Sequence, residues 1–179
     1  MKTWVTSDCH FGHGNIIKYC PSTRPFVDAN DMTVKMVTYW NELVSDDDTV
    51  YILGDVCFGD VNKAIETVSS LNGRKILIKG NHDGKFLKHK EFRDCFVSIH
   101  DYLEVEVNKT LVCLFHYPMK MWNKMHHGSV HLYGHVHGDT TGLEYFRARD
   151  VGMDATGSVV CDLADVVQEA LTGYIQEHH

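Results

Sequence analysis

The sequence has no run of about 20 uncharged apolar residues, so no helix in it is expected to cross a bilayer. It also lacks an apolar h-region followed by small residues near the N-terminus. MKTWVTSDCH passes directly into a strand-like pattern, which predicts a chain that stays in the cytoplasm. No internal repeat, low-complexity tract or proline-rich linker divides the 179 residues, and a single domain over 1–179 is expected, since a chain of this length builds one core of ordinary size. The six cysteines (Cys9, Cys20, Cys57, Cys95, Cys113, Cys161) show no C-x-x-C spacing. That excludes a disulfide framework and a thiolate zinc knuckle, and leaves reduced, mostly buried thiols. A basic excess is missing as well. The formal charge of −7 disfavours sequence-independent binding of long nucleic acid, whose free energy comes from basic side chains displacing counterions at phosphates. A nucleotide in a local pocket is still allowed.

What is present is a folded composition, 44% hydrophobic against 23% charged, and an unusual thirteen histidines. The terminal QEHH resembles a tag remnant, so His178 and His179 carry no argument. Short β-branched or apolar runs recur at 3–7, 49–54, 75–80, 110–116 and 129–135, each closing on polar residues. Between the first three lie helical patterns. Met32, Met36, Tyr39, Trp40 and Leu43 repeat near 3.6 over 31–44, and Ile65, Val68 and Leu71 share a face over 60–73. Strand, helix, strand, helix, strand implies parallel pairing. The alternating DYLEVEVN (101–108) turns at Asn108–Lys109 into TLVCLFH, which predicts an antiparallel hairpin. Residues 161–176 predict a closing amphipathic helix capped by Asp162.

Nearly every one of these strands ends in a side chain able to bind a metal. The first ends in Asp8-Cys9-His10, the second in Gly54-Asp55, the third in Gly80-Asn81-His82-Asp83, the hairpin in His116, and the next strand in Gly134-His135-Val136-His137. In open α/β sheets the carboxyl ends of parallel strands gather at one edge, so groups scattered along the chain can converge there. The i, i+2 spacing of Asp8/His10 and of His135/His137 would put each pair on one side of an extended backbone. Carboxylate, imidazole and carboxamide donors suit Mn, Fe, Co, Ni or Zn better than Ca or Cu(I). Seven such donors are too many for one tetrahedral ion and suffice for two, an arrangement known to promote in-line attack on phosphorus. Two divalent ions, about +4, against two aspartates and a hydroxide, about −3, leave a local positive excess that favours an anionic substrate.

SDCHFGH, GDV, GNHD, FHYP and GHVH, in this order over Thr6 to Asp154, closely resemble the D-x-H, G-D, G-N-H-[DE], H, G-H-x-H pattern of the calcineurin-like metallophosphoesterases. The fuller strings SDCHFGHGNIIKYC and HHGSVHLYGHVHG look like the small, capless members of bacteria and their phages. The resemblance implies an α/β fold, a four-layer α/β/β/α sandwich of mixed β-sheets flanked by helices. It implies that Asp8, His10, Asp55 and His137 hold one ion, that Asp55, Asn81, His116 and His135 hold the other, and that Asp55 bridges them. Mn²⁺ is the first choice, with Fe, Zn, Ni or Co as alternatives. His82 corresponds to the family's catalytic histidine, which protonates the leaving oxygen or stabilises charge, and Asp83 would tune or orient it. The nucleophile implied is a hydroxide between the ions and not a side chain.

No long insertion separates Asp55 from Asn81 or His116 from His135, which argues against a cap domain and for a site open enough for a small phosphodiester, such as a nucleotide derivative; phosphomonoesters stay possible. The rival readings are a protein-binding scaffold on the same fold and a nuclease acting on single strands. Candidate substrate contacts are His13, Arg24, His126 and His127, with Arg147 a second arginine able to grip a phosphate bidentately. Each has a plain alternative: a loop imidazole bonded to backbone for His13, and an uninvolved surface group for the others. His131, on a strand, reads as core or as a support behind the metal ligands. Phe11, Tyr19, Tyr117 and Trp122 are either stacking platforms for a nucleobase or core aromatics.

Overall fold

Thr3–Thr6 (β1) leads through two helices, Gly14–Tyr19 (α1) and Ala29–Leu43 (α2), to Thr49–Ile52 (β2); Val61–Ser70 (α3) then leads to Arg74–Ile78 (β3), and the short Lys90–Arg93 (α4) to Ser98–His100 (β4). The computed structural model describes residues 1–139 and 141–176, and His178 and His179 lie outside the described residues. The four strands pair in parallel, as the alternation of elements predicts. A hairpin follows, Leu103–Val107 (β5) and Thr110–Leu114 (β6), antiparallel and closed by Asn108 and Lys109 at φ 49° and 67°, the left-handed pair that a two-residue turn needs. Val130–Tyr133 (β7) and Ala148–Asp150 (β8) extend that sheet in parallel. Met153–Thr156 (α5), Cys161–Asp162 (β9) and Leu163–Ala170 (α6) complete the chain, with β9 antiparallel to β1. The sheets are therefore both mixed, in the orders β4-β3-β2-β1-β9 and β5-β6-β7-β8.

Each of the three longer helices starts on an aspartate whose carboxylate accepts backbone N–H groups of the first turn: Asp28 from Asn30 and Asp31, Asp60 from Lys63, and Asp162 from Ala164. α2 buries Met32, Met36 and Trp40 against the outer face of the first sheet, together with Val50, Ile52 and Val68. Tyr39 and Leu43 share the expected periodicity but are half exposed, Tyr39 at the edge of the buried arc and Leu43 as the last residue of the helix. Val5, Leu53 and Ile78 of the first sheet meet Val112, Leu114, Val130 and Leu132 of the second, with α6 sealing this inner layer. The outer face of the second sheet is covered by the β6–β7 connection, whose Trp122 and Met125 pack on Cys113, Tyr133 and Ala148. The final helix is shorter than expected and stops at Ala170, followed by a turn through Gly173. Among the described residues no helix is long and apolar enough to cross a membrane.

The strands also end one or two residues before the sequence pattern suggests. The polar residues that close each pattern leave the ladder and turn outward, and they build the site.

Candidate metal centre

The loops after β1, β2, β3, β6 and β7 meet at one sheet edge and bring together Asp8, His10, Asp55, Asn81, His116, His135 and His137. The extended spacing expected for Asp8/His10 and His135/His137 is not what aligns them. Asp8 (φ 54°), His10 (52°), Asp55 (54°), His135 (72°) and His137 (51°) are all left-handed. A side chain in that region costs about 1–3 kcal/mol, and the conformation persists only where the surroundings over-determine it. Here the loops are laced together: Asp8 N–H donates to Gly54 O (3.0 Å), His10 N–H to Asp55 O (3.0 Å) and Phe11 N–H to Val56 O (2.9 Å). Glycine lets the loops approach. A Cβ on Gly134 would lie 2.0 Å from Ser7 Oγ and 2.2 Å from Asp8 Oδ2, and one on Gly80 would lie 2.2 Å from Asp55 Oδ1.

Asp55 Oδ1 accepts His82 N–H at 2.9 Å, while Oδ2 faces the Nε2 atoms of His10 (3.8 Å), His116 (3.7 Å) and His82 (3.9 Å). Asp8 Oδ2 accepts His135 N–H at 2.8 Å, and its Oδ1 lies 3.7 Å from His10 Nε2 and 4.0 Å from His137 Nε2. Three imidazoles are anchored through Nδ1: His116 on Leu53 O (2.6 Å), His137 on Asp154 Oδ2 (2.7 Å) and His10 on His13 Nδ1 (3.1 Å). A carbonyl and a carboxylate can only accept, so the proton of His116 and of His137 is committed to Nδ1 and each of these two Nε2 atoms presents a lone pair to the centre. Asp8 Oδ1 and His10 Nε2 are buried with no hydrogen-bond partner, a costly state for polar atoms that a cation between them relieves. Likewise His116 Nε2 and Asn81 Oδ1 meet 2.9 Å apart as two lone-pair donors. The donor atoms of Asp8, His10 and His137 lie within 4.8 Å of one another, and so do those of Asp55, His116 and His135. The residues present therefore fit divalent cations.

Burial alone would raise the Asp8 carboxyl, but its polar neighbours, the His10 ring and the Ser7 hydroxyl first among them, hold it below the usual range. Burial lowers His10 and His135, which favours the neutral imidazole that binds metal. At Asp154 burial is outweighed by His137 and Arg24, and the carboxyl stays well below the usual range.

The site opens into a cleft of about 790 Å³ lined by His10, His13, Tyr19, His82, His135 and His137 among others. His82 stands at its mouth, with its side chain 48% exposed. Asp83 does not orient the His82 ring directly: it is fully buried, and its two oxygens accept the backbone N–H groups of Asp55 (3.0 Å), Val56 (3.0 Å) and Gly80 (2.8 Å), tying the second loop to the third.

Of the expected substrate contacts, His13 lies on the cleft wall, stacked on Phe58 at 4.0 Å and bonded to the His10 ring, with burial pushing it down to about 4. Arg24 is a correction. It is fully buried, and its guanidinium is spent on Asp154 and on the carbonyls of Asp8 and Cys9, so no donor faces the cleft. His126 and His127 are a second correction. The β6–β7 connection folds back over the outer face of the second sheet, where His126 lines a separate hollow of about 240 Å³ and His127 packs against it, so neither joins the cleft. Arg147 bonds to the carbonyls of Gly128 and Gly173. Phe11 and Trp122 are core, whereas Tyr19 (71% exposed) and Tyr117 (37%) flank the site. Sequence reasoning missed Phe58, which stacks on His10 and His13, and Asp154, which sits in the first turn of the short α5 with no motif spacing to mark it.

The sequence model of the family described as calcineurin-like phosphoesterase matches residues 1–151. An uncharacterized protein of Methanocaldococcus jannaschii is 44% identical over 84 residues, a match covering 46% of this chain and about half (47%) of that protein's length. The gene 66 protein of Mycobacterium phage L5 is 30% identical over 191 residues, with 89% of each chain covered. A solved structure, a protein of unknown function from Aquifex aeolicus, superposes with a TM-score of 0.68 at 27% identity, over 86% of this chain and 90% of that one.

Proposed function

The chain belongs to the calcineurin-like phosphoesterases, phosphoric ester hydrolases that work with divalent metal ions, and from that premise we propose that it is a single-domain, cytoplasmic phosphodiesterase for a small, nucleotide-like substrate, carrying two cations. Asp8, His10, Asp55 and His137 would hold one, and Asp55, Asn81, His116 and His135 the other. The observation that carries this reading is the buried, partnerless pair Asp8 Oδ1 and His10 Nε2 beside an Asp55 carboxylate ringed by imidazoles. The mixed N/O donor set suits Mn²⁺ first, and Fe, Zn, Ni or Co next. Cations bound there supply Lewis-acid charge for a phosphoryl group and acidify water.

His82 serves as the general acid, giving its proton to the departing oxygen; its exposure at the mouth and its reach to Asp55 Oδ2 support the role. Asp83 keeps the His82 and Asp55 loops in register through their amides. His13 holds the His10 ring from outside. Substrate charge is read from the cleft wall: the described residues lining it include Asp139 but no lysine or arginine, and Asp154, which also borders it, is buried against Arg24. A diester, with one negative charge on phosphorus, suits such a wall better than a monoester or polyphosphate carrying two or more. Tyr19 and Tyr117 offer exposed rings on which a base can stack. The six free cysteines fit a reducing cytoplasm.

The test is turnover by the full chain loaded with Mn²⁺. Bis-p-nitrophenyl phosphate should be cleaved faster than p-nitrophenyl phosphate, with the rate falling at least 100-fold, or about 10²–10⁴, in His82→Ala and collapsing in Asn81→Ala. Two bound ions without turnover on any ester would replace this reading by a scaffold, and salt-sensitive cleavage of single-stranded nucleic acid in preference to small diesters would replace it by a nuclease.

A further inference from the structure

Arg24 is fully buried, and every donor of its guanidinium is engaged. Nε bonds Asp154 Oδ1 (3.0 Å), Nη2 bonds Asp154 Oδ2 (2.9 Å) and the Asp8 carbonyl (2.6 Å), and Nη1 bonds the Cys9 carbonyl (2.9 Å) and approaches Met32 Sδ (3.8 Å). Asp154 is equally saturated: Oδ1 also accepts the Thr23 hydroxyl (2.6 Å), and Oδ2 also accepts His137 Nδ1–H (2.7 Å). Asp154 lies beyond residues 1–151, the span of the family match.

We infer that Arg24 and Asp154 form a buried strut that positions one cation site, the one built on Asp8 and His137, and leaves the other alone. The inference rests on the two-cation reading above. On the His137 side, a carboxylate on Nδ1–H fixes both the tautomer and the rotation of the ring, so that Nε2 faces Asp8 Oδ1; without it neither is specified. On the Asp8 side, the strut grips the carbonyls of two successive residues where Asp8 is left-handed, and a charge-assisted fork is well suited to hold strained backbone. The same guanidinium therefore sets two donors of one site from opposite directions. Of the other site, His116 is anchored by Leu53 O, and Asp55 by the His82 amide and, through its backbone, by Asp83, all away from the strut; the His135 amide alone is tied to Asp8, through Oδ2. Loss of the strut should be selective for one site, and a general scaffold residue would not behave so.

The experiment is a calorimetric Mn²⁺ titration of the full chain, with manganese per chain counted after desalting and the fold followed by circular dichroism. Asp154→Asn keeps an acceptor for His137 and removes the charge; Arg24→Lys keeps the charge but cannot reach carboxylate and both carbonyls at once. Both variants hold the local volume, so they test the strut even if Asp154→Ala does not fold. Each should weaken one of two Mn²⁺ affinities about 10- to 100-fold and leave the other within about twofold, with bound manganese falling from two per chain towards one. A wild-type chain with two sites whose variants keep both, or lose both equally, overturns the strut while leaving the proposed function standing. A wild-type chain that binds no manganese overturns the two-cation reading itself, and the strut with it.

Discussion

His131 offers a test of the structure that needs no metal. It lies in β7, fully buried, with Nδ1–H donated to Cys113 O (3.0 Å) and Nε2 accepting Met119 N–H (3.1 Å) from the loop that follows His116. The bond accepted by Nε2 requires the neutral ring, and burial pushes its pKa down to about 4 from 6.5. Between those values the unfolded chain takes up a proton that the folded chain refuses. Stability from this residue is thus fully present above about pH 6.5, is lost as pH falls towards 4, and changes no further below that. At about 1.4 kcal/mol per pH unit the full loss is about 3 kcal/mol, a large part of the roughly 5–15 kcal/mol that holds a domain together. Urea unfolding of metal-stripped wild type and His131→Phe between pH 7.5 and 4 separates this group from every other titrating residue. Phenylalanine loses the two hydrogen bonds but cannot titrate, so the stability gap between the proteins should narrow by about 3 kcal/mol on acidification. Parallel pH curves for the two proteins would refute the burial argument.

Gly134→Ala would drive Asp8 off its position, since the new methyl would sit 2.2 Å from Oδ2; turnover of bis-p-nitrophenyl phosphate should drop about 100-fold with the circular dichroism unchanged, and undiminished turnover would show that the close approach is not needed. Asp83→Ala strips a partner from three backbone amides, in a region where an unsatisfied buried donor costs about 1–3 kcal/mol, so urea unfolding should show a loss of about 3 kcal/mol or more; a loss below about 1 kcal/mol would rule out the clamp. Mn²⁺ at about 100 times its dissociation constant should add about 2.7 kcal/mol per site, reversed by EDTA, and a melting temperature indifferent to Mn²⁺ would argue against any such site.

Much of the fold was legible because its local signals agree. The α2 stripe of Met32, Met36 and Trp40, the cap at Asp162, and the Asn108–Lys109 turn each follow from a period or from a side chain beside its own backbone. What escaped notice was short or polar. β4, β8 and β9 have two or three residues each, too few to show an alternation, and they exist because a neighbouring strand offers an unpaired edge. α1 is six residues with no side-chain cap.

At the site the division is similar. Asp8, His10, Asp55, Asn81, His116, His135 and His137 could be named from the sequence because parallel strands must end at a common edge, and the glycines beside them marked places where backbones approach. The left-handed conformations of Asp8, His10, Asp55, His135 and His137, the burial of Arg24 against Asp154, and the removal of His126 and His127 to another face followed no local pattern. Chain order and strand polarity decide which end of the sheet a residue reaches. Where its side chain then points depends on partners up to 130 positions away, and those contacts exist only once the two sheets and their loops have packed.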